Sequence, residues 1–479
     1  MISSPGSSPN GLNSSPNGPD PRSRPPGCYR SALHRRRLVA LALVAVLAGA
    51  CGSSGPTPAG SGSIGPTPAG STSPGGSSTF GPSPSAGAGA SAAPTPDNDA
   101  IFAGIETAVQ QIRQLTKTAN VARRILTEAQ LADLISASFD KSNPPALVAA
   151  NEQLLKALGL LPLSASLKDL DVQLLSSQVA GLYDPDTKTM DVVSKTGTLG
   201  PIEQITYAHE FDHALQDQHF GLAKLGLDDP GNSDQALARL SLPEGDATLL
   251  MTQWATRNMT PAQLLQLAQE ANDPSQTALL ATMPDDLKET LLFPYEQGLG
   301  WVSGLQSSGG WAAVDAAYAD PPDSTAQILN PAKWAGRGKP ISVTIPADLP
   351  VKLQASLPAK LGAGWTMPLT DTFGELQFQI WLEQVGKVPA ATAEAAAGGW
   401  AGDRVALVQD GSTFGVVLIS RWDTPAAAAQ FAAVAGPTLK LLPSATAMID
   451  PGSTNQVVLF VASDQATLNA LAGALGLAG

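Results

Sequence analysis

The sequence predicts an α+β protein: mainly helical, with a small β-hairpin in its first half and a β-β-α-β-β-α unit at its C-terminus. Three observations predict this class. Apolar residues recur at helical spacing across most of 97–318. Two short strand-like runs flank a turn within 179–193. Beyond about residue 398 the period changes from helical to strand-like.

The elements follow in order. Residues 1–50 and 51–96 carry no folding pattern and are treated below. Residues 97–175 form an N-terminal helical region. Ile101, Ile105, Val109 and Ile112 share one helical face, and a second helix over Glu128–Phe139 starts at the N-cap Thr127. Pro144-Pro145 interrupts, and Leu147–Leu158 is helical again, ending at Gly159. Residues 176–340 form the next unit. Val179–Tyr183 and Thr189–Val193 flank the turn Asp184-Pro185-Asp186 as a hairpin. Pro201 then opens a helix, a further helix covers Pro243–Thr256, and more helices fill 261–318 with breaks at Pro294 and Gly309-Gly310. Residues 341–397 are a Pro-rich connection and a helix. Within 398–479, Arg404–Val408 and Phe414–Ser420 flank Asp410-Gly411, a strong hairpin signal. Helix 424–433, strands 445–449 and 457–462 around Asp450-Pro451-Gly452, and helix 464–475 complete that unit, which holds no His or Cys.

Composition limits the function classes. The net charge is −13, and residues 1–50 contribute six Arg against one Asp, so the remainder carries −18. Phosphate binding needs clustered Lys and Arg, which excludes nucleic acid as a partner. The two cysteines, Cys28 and Cys51, lie outside the folding part, so no disulfide framework and no cysteine metal site is expected.

The first 50 residues read as an address. Arg35, Arg36 and Arg37 precede the apolar run Leu38–Ala48, followed by small residues up to Cys51. A positive region, a short apolar core and small residues describe a secretory signal, and the run is too short to span a bilayer. Leu47-Ala48-Gly49-Ala50-Cys51-Gly52 resembles a bacterial lipobox, which implies lipidation at Cys51 and an anchor on the outer face of the cell membrane. Residues 52–96 contain no charged residue and repeat GPTPAGS at 55–61 and 65–71. Such a segment buries no core and is read as a disordered tether, spanning roughly 35–40 Å as a coil.

The chemistry concentrates at His209-Glu210-Phe211-Asp212-His213. Three of the four histidines of the chain, His209, His213 and His219, fall within eleven residues. Histidines at i and i+4 share a helix face about 6 Å apart along the axis, so both can reach one tetrahedral Zn²⁺. Glu210 then stands beside the metal's open position as general base. Two residues compete to be the third ligand. His219 is ten residues past His209, but on a continuous helix it lies about 9 Å beyond His213 and about 120° round the axis. Glu244, in Pro243-Glu244-Gly245-Asp246-Ala247 at the expected start of the next helix, is therefore favoured. The competing reading of Glu244 is an acid placed by the helix dipole.

HExxH followed by a Glu on a second helix resembles the gluzincin clan of zinc metallopeptidases. Gln178-Val-Ala-Gly-Leu-Tyr-Asp-Pro, His209-Glu-Phe-Asp-His-Ala-Leu-Gln-Asp-Gln-His-Phe and Glu244-Gly-Asp-Ala resemble a group of little-characterised exported prokaryotic proteins of this type. The resemblance implies a zincin-like core over 176–340, with metal ligands His209, His213 and Glu244 and the base Glu210. It implies zinc-dependent hydrolysis of peptide or protein substrates outside the cytoplasm, by an endopeptidase rather than an exopeptidase. It also implies a sheet edge that pairs with the substrate, for which the hairpin ending at Val193 is the candidate. Where many gluzincins carry an Asp four residues after the Glu ligand, this chain has Thr248; Asp246 or Asp217 is then expected to orient a ligand histidine. Tyr295 and His219 are candidate transition-state donors, both read as structural and unassigned. The alternative is a non-proteolytic zinc-binding envelope lipoprotein acting as an interaction module.

Overall fold

A computed structural model describes residues 38–41, 97–228, 231–271, 274–357, 364–442, 446–450 and 455–477. Cys51 and the segment 51–96 lie outside the described residues, as does the leader apart from Leu38–Leu41.

The chain is α+β and mainly helical, with two small sheets. Its elements run β1 (Leu38–Leu41), α1 (Asn98–Arg113), β2 (Ala122–Leu126), α2 (Glu128–Ser142), α3 (Pro145–Ala157), α4 (Leu167–Gln178), β3 (Val179–Asp184), β4 (Thr189–Val193), α5 (Pro201–Phe220), α6 (Ser233–Asn258), α7 (Pro261–Ala271), α8 (Pro274–Thr282), α9 (Asp285–Ala317), α10 (Thr325–Leu329), α11 (Pro331–Ala335), α12 (Leu349–Ser356), β5 (Thr366–Asp371), α13 (Gly374–Gln384), α14 (Ala390–Ala397), β6 (Trp400–Asp410), β7 (Thr413–Trp422), α15 (Pro425–Leu439), β8 (Thr446–Asp450), β9 (Gln456–Ala462) and α16 (Gln465–Ala474).

Local signals account for many boundaries. Thr127 caps α2 in a reciprocal capping box with Gln130, and α1 buries Phe102, Ile105, Val109 and Ile112. Two elements of the N-terminal region were not expected, β2 and α4. β2 pairs in parallel with β4, which completes the order β1-β3-β4-β2. The β4 strand ending at Val193 is therefore interior, and the edges of this sheet are β1 and β2. Leu38–Leu41, read above as part of a signal's apolar run, is itself an edge strand and pairs antiparallel with β3, with Ala40 opposite Gly181.

Helix α6 begins ten residues before the expected start at Pro243, capped by Asn232, and Pro243 lies inside it. Pro294 likewise lies inside α9 rather than breaking it, whereas Gly309 and Gly310 do leave helical geometry. The C-terminal sheet has the order β5-β6-β7-β9-β8, antiparallel throughout. The β-β-α-β-β-α order holds, and the sheet gains β5 from the segment expected only as connection and helix. Alternate strand residues face opposite layers: Val405, Leu407, Val416 and Leu418 join the main core, while Val417, Val458 and Phe460 pack with Leu349, Leu353 and Leu471. Asp371 of β5 accepts from the Ser233 backbone N–H at 2.8 Å and its hydroxyl at 2.6 Å. That pair ties the C-terminal sheet to the N-terminus of α6.

Candidate metal centre

Helix α5 opens at Pro201, which needs no N–H partner in the first turn, and stops at Gly221 in the left-handed region. Every residue from Ile205 to Gln216 is buried, including His209, Glu210, Asp212, His213 and Gln216. Burying so many titratable groups on one helix is costly unless they are mutually paired. The second helix is brought in by glycine. A Cβ on Gly245 would meet the Gly298 carbonyl oxygen at 2.3 Å, and one on Gly298 would meet the Ser241 carbonyl oxygen at 2.5 Å. Helices α6 and α9 thus cross backbone on backbone next to Glu244.

The crossing sets Glu244 against the histidine pair. Its Oε2 lies 3.2 Å from His209 Nε2 and 3.3 Å from His213 Nε2, and the two Nε2 atoms are 3.0 Å apart. Tetrahedral zinc with bonds of roughly 2.0–2.1 Å would space its ligand atoms by about 3.3 Å, so the three side chains fit that ion in donor type and spacing. Among the described residues this is the one His/Cys/Asp/Glu group with metal-ligand convergence. Glu244 sits mid-helix and fully buried, which rules out the reading of a helix-terminal acid. His219 points elsewhere: its Nε2 lies 2.8 Å from the Thr116 carbonyl oxygen.

The site favours positive charge. Burial alone would suppress a proton on either ring. At His213 this is overridden by Glu244, then Glu210 and Gln216, which raise its pKa to about 9. At His209 burial prevails and the pKa falls to about 4. Burial would raise Glu244 too, but the two histidines pull it down to about 2. One proton held among these three side chains is thus the preferred state.

Around the ligands, two expectations are corrected. Asp246 does not orient a histidine: both its oxygens take the Arg113 guanidinium, at 2.8 and 2.9 Å, and Oδ2 also accepts from the Tyr318 hydroxyl at 2.9 Å. Asp217 does not either, since it accepts from the Tyr183 hydroxyl at 2.8 Å and from Lys188. Gln216 contacts a ligand instead, with Oε1 2.9 Å from His213 Nδ1. Tyr295, on α9 one turn before Gly298, is brought in by the same crossing. Its hydroxyl bonds Glu244 and its ring stacks on His209 at 6.3 Å, where burial and the charges of Glu244 and Glu210 push its pKa far up. Arg113, fully buried from α1, was missed by the sequence reading. Its signal was its place four residues after Val109 and eight after Ile105, on the apolar stripe.

A family model described as a domain of unknown function (DUF8575) matches residues 363–470, the C-terminal sheet and most of its helices. No curated protein and no solved structure matches the chain.

Proposed function

We propose that this chain is a zinc-dependent peptidase of gluzincin type, with a zincin-like catalytic unit built on α5, α6 and the strand β3. One observation carries the reading: His209, His213 and Glu244 converge with tetrahedral ligand spacing, fully buried, with Glu210 adjacent in the chain. A bound zinc would supply Lewis acidity and an acidified water. The residues supply the rest. Glu210 takes a proton from the attacking water and passes it to the leaving amine. Its environment is dry, which strengthens each electrostatic contact during the reaction.

Substrate positioning falls to β3. A Cβ at Gly181 would meet the Thr206 methyl at 2.6 Å and Glu210 Cγ at 3.3 Å, so this strand lies directly on the catalytic helix beside the base. The backbone pairing of Leu38–Leu41 with β3 supports the mode in which an extended peptide would bind in its place, antiparallel and hydrogen-bonded to β3. A secretory signal removed before residue 51 would take β1 with it and leave β3 as an open edge. At the N-terminal end of β3 a cavity of about 430 Å³ is lined by Val179, Ala180, Ile202, Glu203 and Glu270. Glu203 and Glu210 are seven residues apart on one helix face, about 10 Å along the axis. At about 3.3 Å per extended residue, the cavity receives a substrate side chain about three residues from the scissile bond.

The test is zinc analysis of the purified protein combined with cleavage of a peptide library. Stoichiometric zinc with endoproteolytic products is expected. Zinc without cleavage would favour the non-proteolytic envelope lipoprotein, and absence of zinc would sink both readings.

Among the described residues no helix is long and apolar enough to cross a membrane. Membrane attachment is proposed through lipid on Cys51, with the body on the outer face. Cys51→Ala is expected to move the protein from the membrane fraction into the medium. Retention of the variant on the membrane would refute the anchor.

A further inference from the structure

We propose that Gln216 is the positioning residue of His213, fixing the ring so that Nε2 faces the ion; this rests on the zinc reading above. Gln216 lies three residues past His213 on α5 and is fully buried. Its amide is held on both sides. The NH₂ group donates to Asp212 Oδ2 at 3.0 Å and to the Pro243 carbonyl at 3.1 Å. The Pro243 carbonyl has no proton to give, so the amide cannot turn over, and its Oε1 must face His213 Nδ1 at 2.9 Å. An oxygen there makes Nδ1 the protonated nitrogen, which leaves the Nε2 lone pair for the metal.

The Pro243 contact adds a second consequence. Pro243 precedes Glu244 and lacks the N–H that would continue the helical ladder. Its own carbonyl accepts from Gln216 across the helix pair, so one amide spans the ligand on α5 and the residue before the ligand on α6. His209 is held differently: its Nδ1 has no hydrogen-bond partner among the described residues, and its ring is braced by Tyr295. The two histidines thus respond differently to substitution around them.

The experiment uses the full chain, stripped with chelator and titrated with Zn²⁺ alone and with Co²⁺ alone. Gln216→Met keeps length and removes all three hydrogen bonds. It is expected to weaken zinc binding about 10–100-fold and to change the visible Co²⁺ spectrum, with far-ultraviolet circular dichroism unchanged. Gln216→Glu keeps an acceptor for Nδ1 and is expected to recover most of that affinity. In the zinc-loaded wild type, a His213 Nδ1–H resonance protected from exchange is expected, a readout that does not depend on any variant folding. Wild-type affinity in a folded Gln216→Met, a Gln216→Glu as weak as Gln216→Met, or an Nε2-protonated His213 would each overturn the assignment. A wild type that binds no zinc would instead remove the reading on which it rests.

Discussion

Glu210→Gln is expected to keep stoichiometric zinc while peptide hydrolysis falls roughly 10²–10⁴-fold, the scale for removing a general base. The reason is geometric. Glu210 neighbours the ligand set without belonging to it, and Gln keeps its size without its basicity. The ligand variants should separate from it cleanly. His209→Ala, His213→Ala and Glu244→Ala each remove one of three convergent donors and are expected to lose most bound metal as well as activity. His219→Ala is expected to retain both, since that ring binds the Thr116 carbonyl on the far side of the helix end. Activity retained in Glu210→Gln would end the peptidase mechanism, and zinc retained in both His209→Ala and His213→Ala would end the metal site.

The part of this site that reads directly from the sequence is local. His209, Glu210 and His213 lie on one helix, so spacing alone puts both imidazoles on one face. Excluding His219 needed only the continuity of that helix, which α5 keeps through Phe220. Glu244 was reachable because Glu-Gly-Asp-Ala stood out in an otherwise helical run, but its setting was misread. Proline is common at the first position of a helix, so Pro243 looked like a start. In the folded chain Asn232 caps α6 much earlier, and Pro243 is interior. Tyr295 was named above as a candidate donor, but its contacts arrive by tertiary crossing and are not legible locally. Tyr295 reaches His209 because Gly245 and Gly298 allow two backbones to touch. The strand Ala122–Leu126 carries two adjacent arginines and no alternation, and is exposed over its first three residues. Only its pairing with β4 makes it a strand. The C-terminal unit was legible because its hairpin turn and alternating strands are sequence-local, whereas β5 joins that sheet across the whole of α13 and α14.

Arg113→Ala is expected to destabilise the fold by about 3–5 kcal/mol, the usual cost of leaving a buried charge without its partner. The guanidinium is fully enclosed and serves three carboxylates. It binds Asp246 bidentately, lies 2.7 Å from Asp315 Oδ1, and sits 3.9 Å from Asp212 Oδ1, with the Trp311 ring 4.5 Å from its centre. Asp246 is two residues past Glu244, and Asp212 accepts from Gln216, so the cation stands behind both ligand helices at once. Against a total stability of roughly 5–15 kcal/mol, such a loss is large enough to unfold a marginal domain. The loss should also depend on pH. Burial first, and Asp246 second, already raise the Asp212 carboxyl to about 8 even with Arg113 present. An acid whose folded pKa is raised gives up stability as pH rises from its unfolded value, near 4, towards its folded one. Without the cation the folded value moves beyond about 8, so the added deficit opens only above it, and urea unfolding should find Arg113→Ala further below wild type at about pH 10 than at about pH 7. A variant within about 1 kcal/mol of wild type at both pH values would contradict the argument. The same charge decides the status of the N-terminal helix. A releasable inhibitory segment would leave an intact site behind it, but removal of α1 takes Arg113 away and strands Asp246 and Asp212 in the interior. Cutting the chain after Arg113 and separating the pieces should therefore abolish zinc binding rather than leave an intact site.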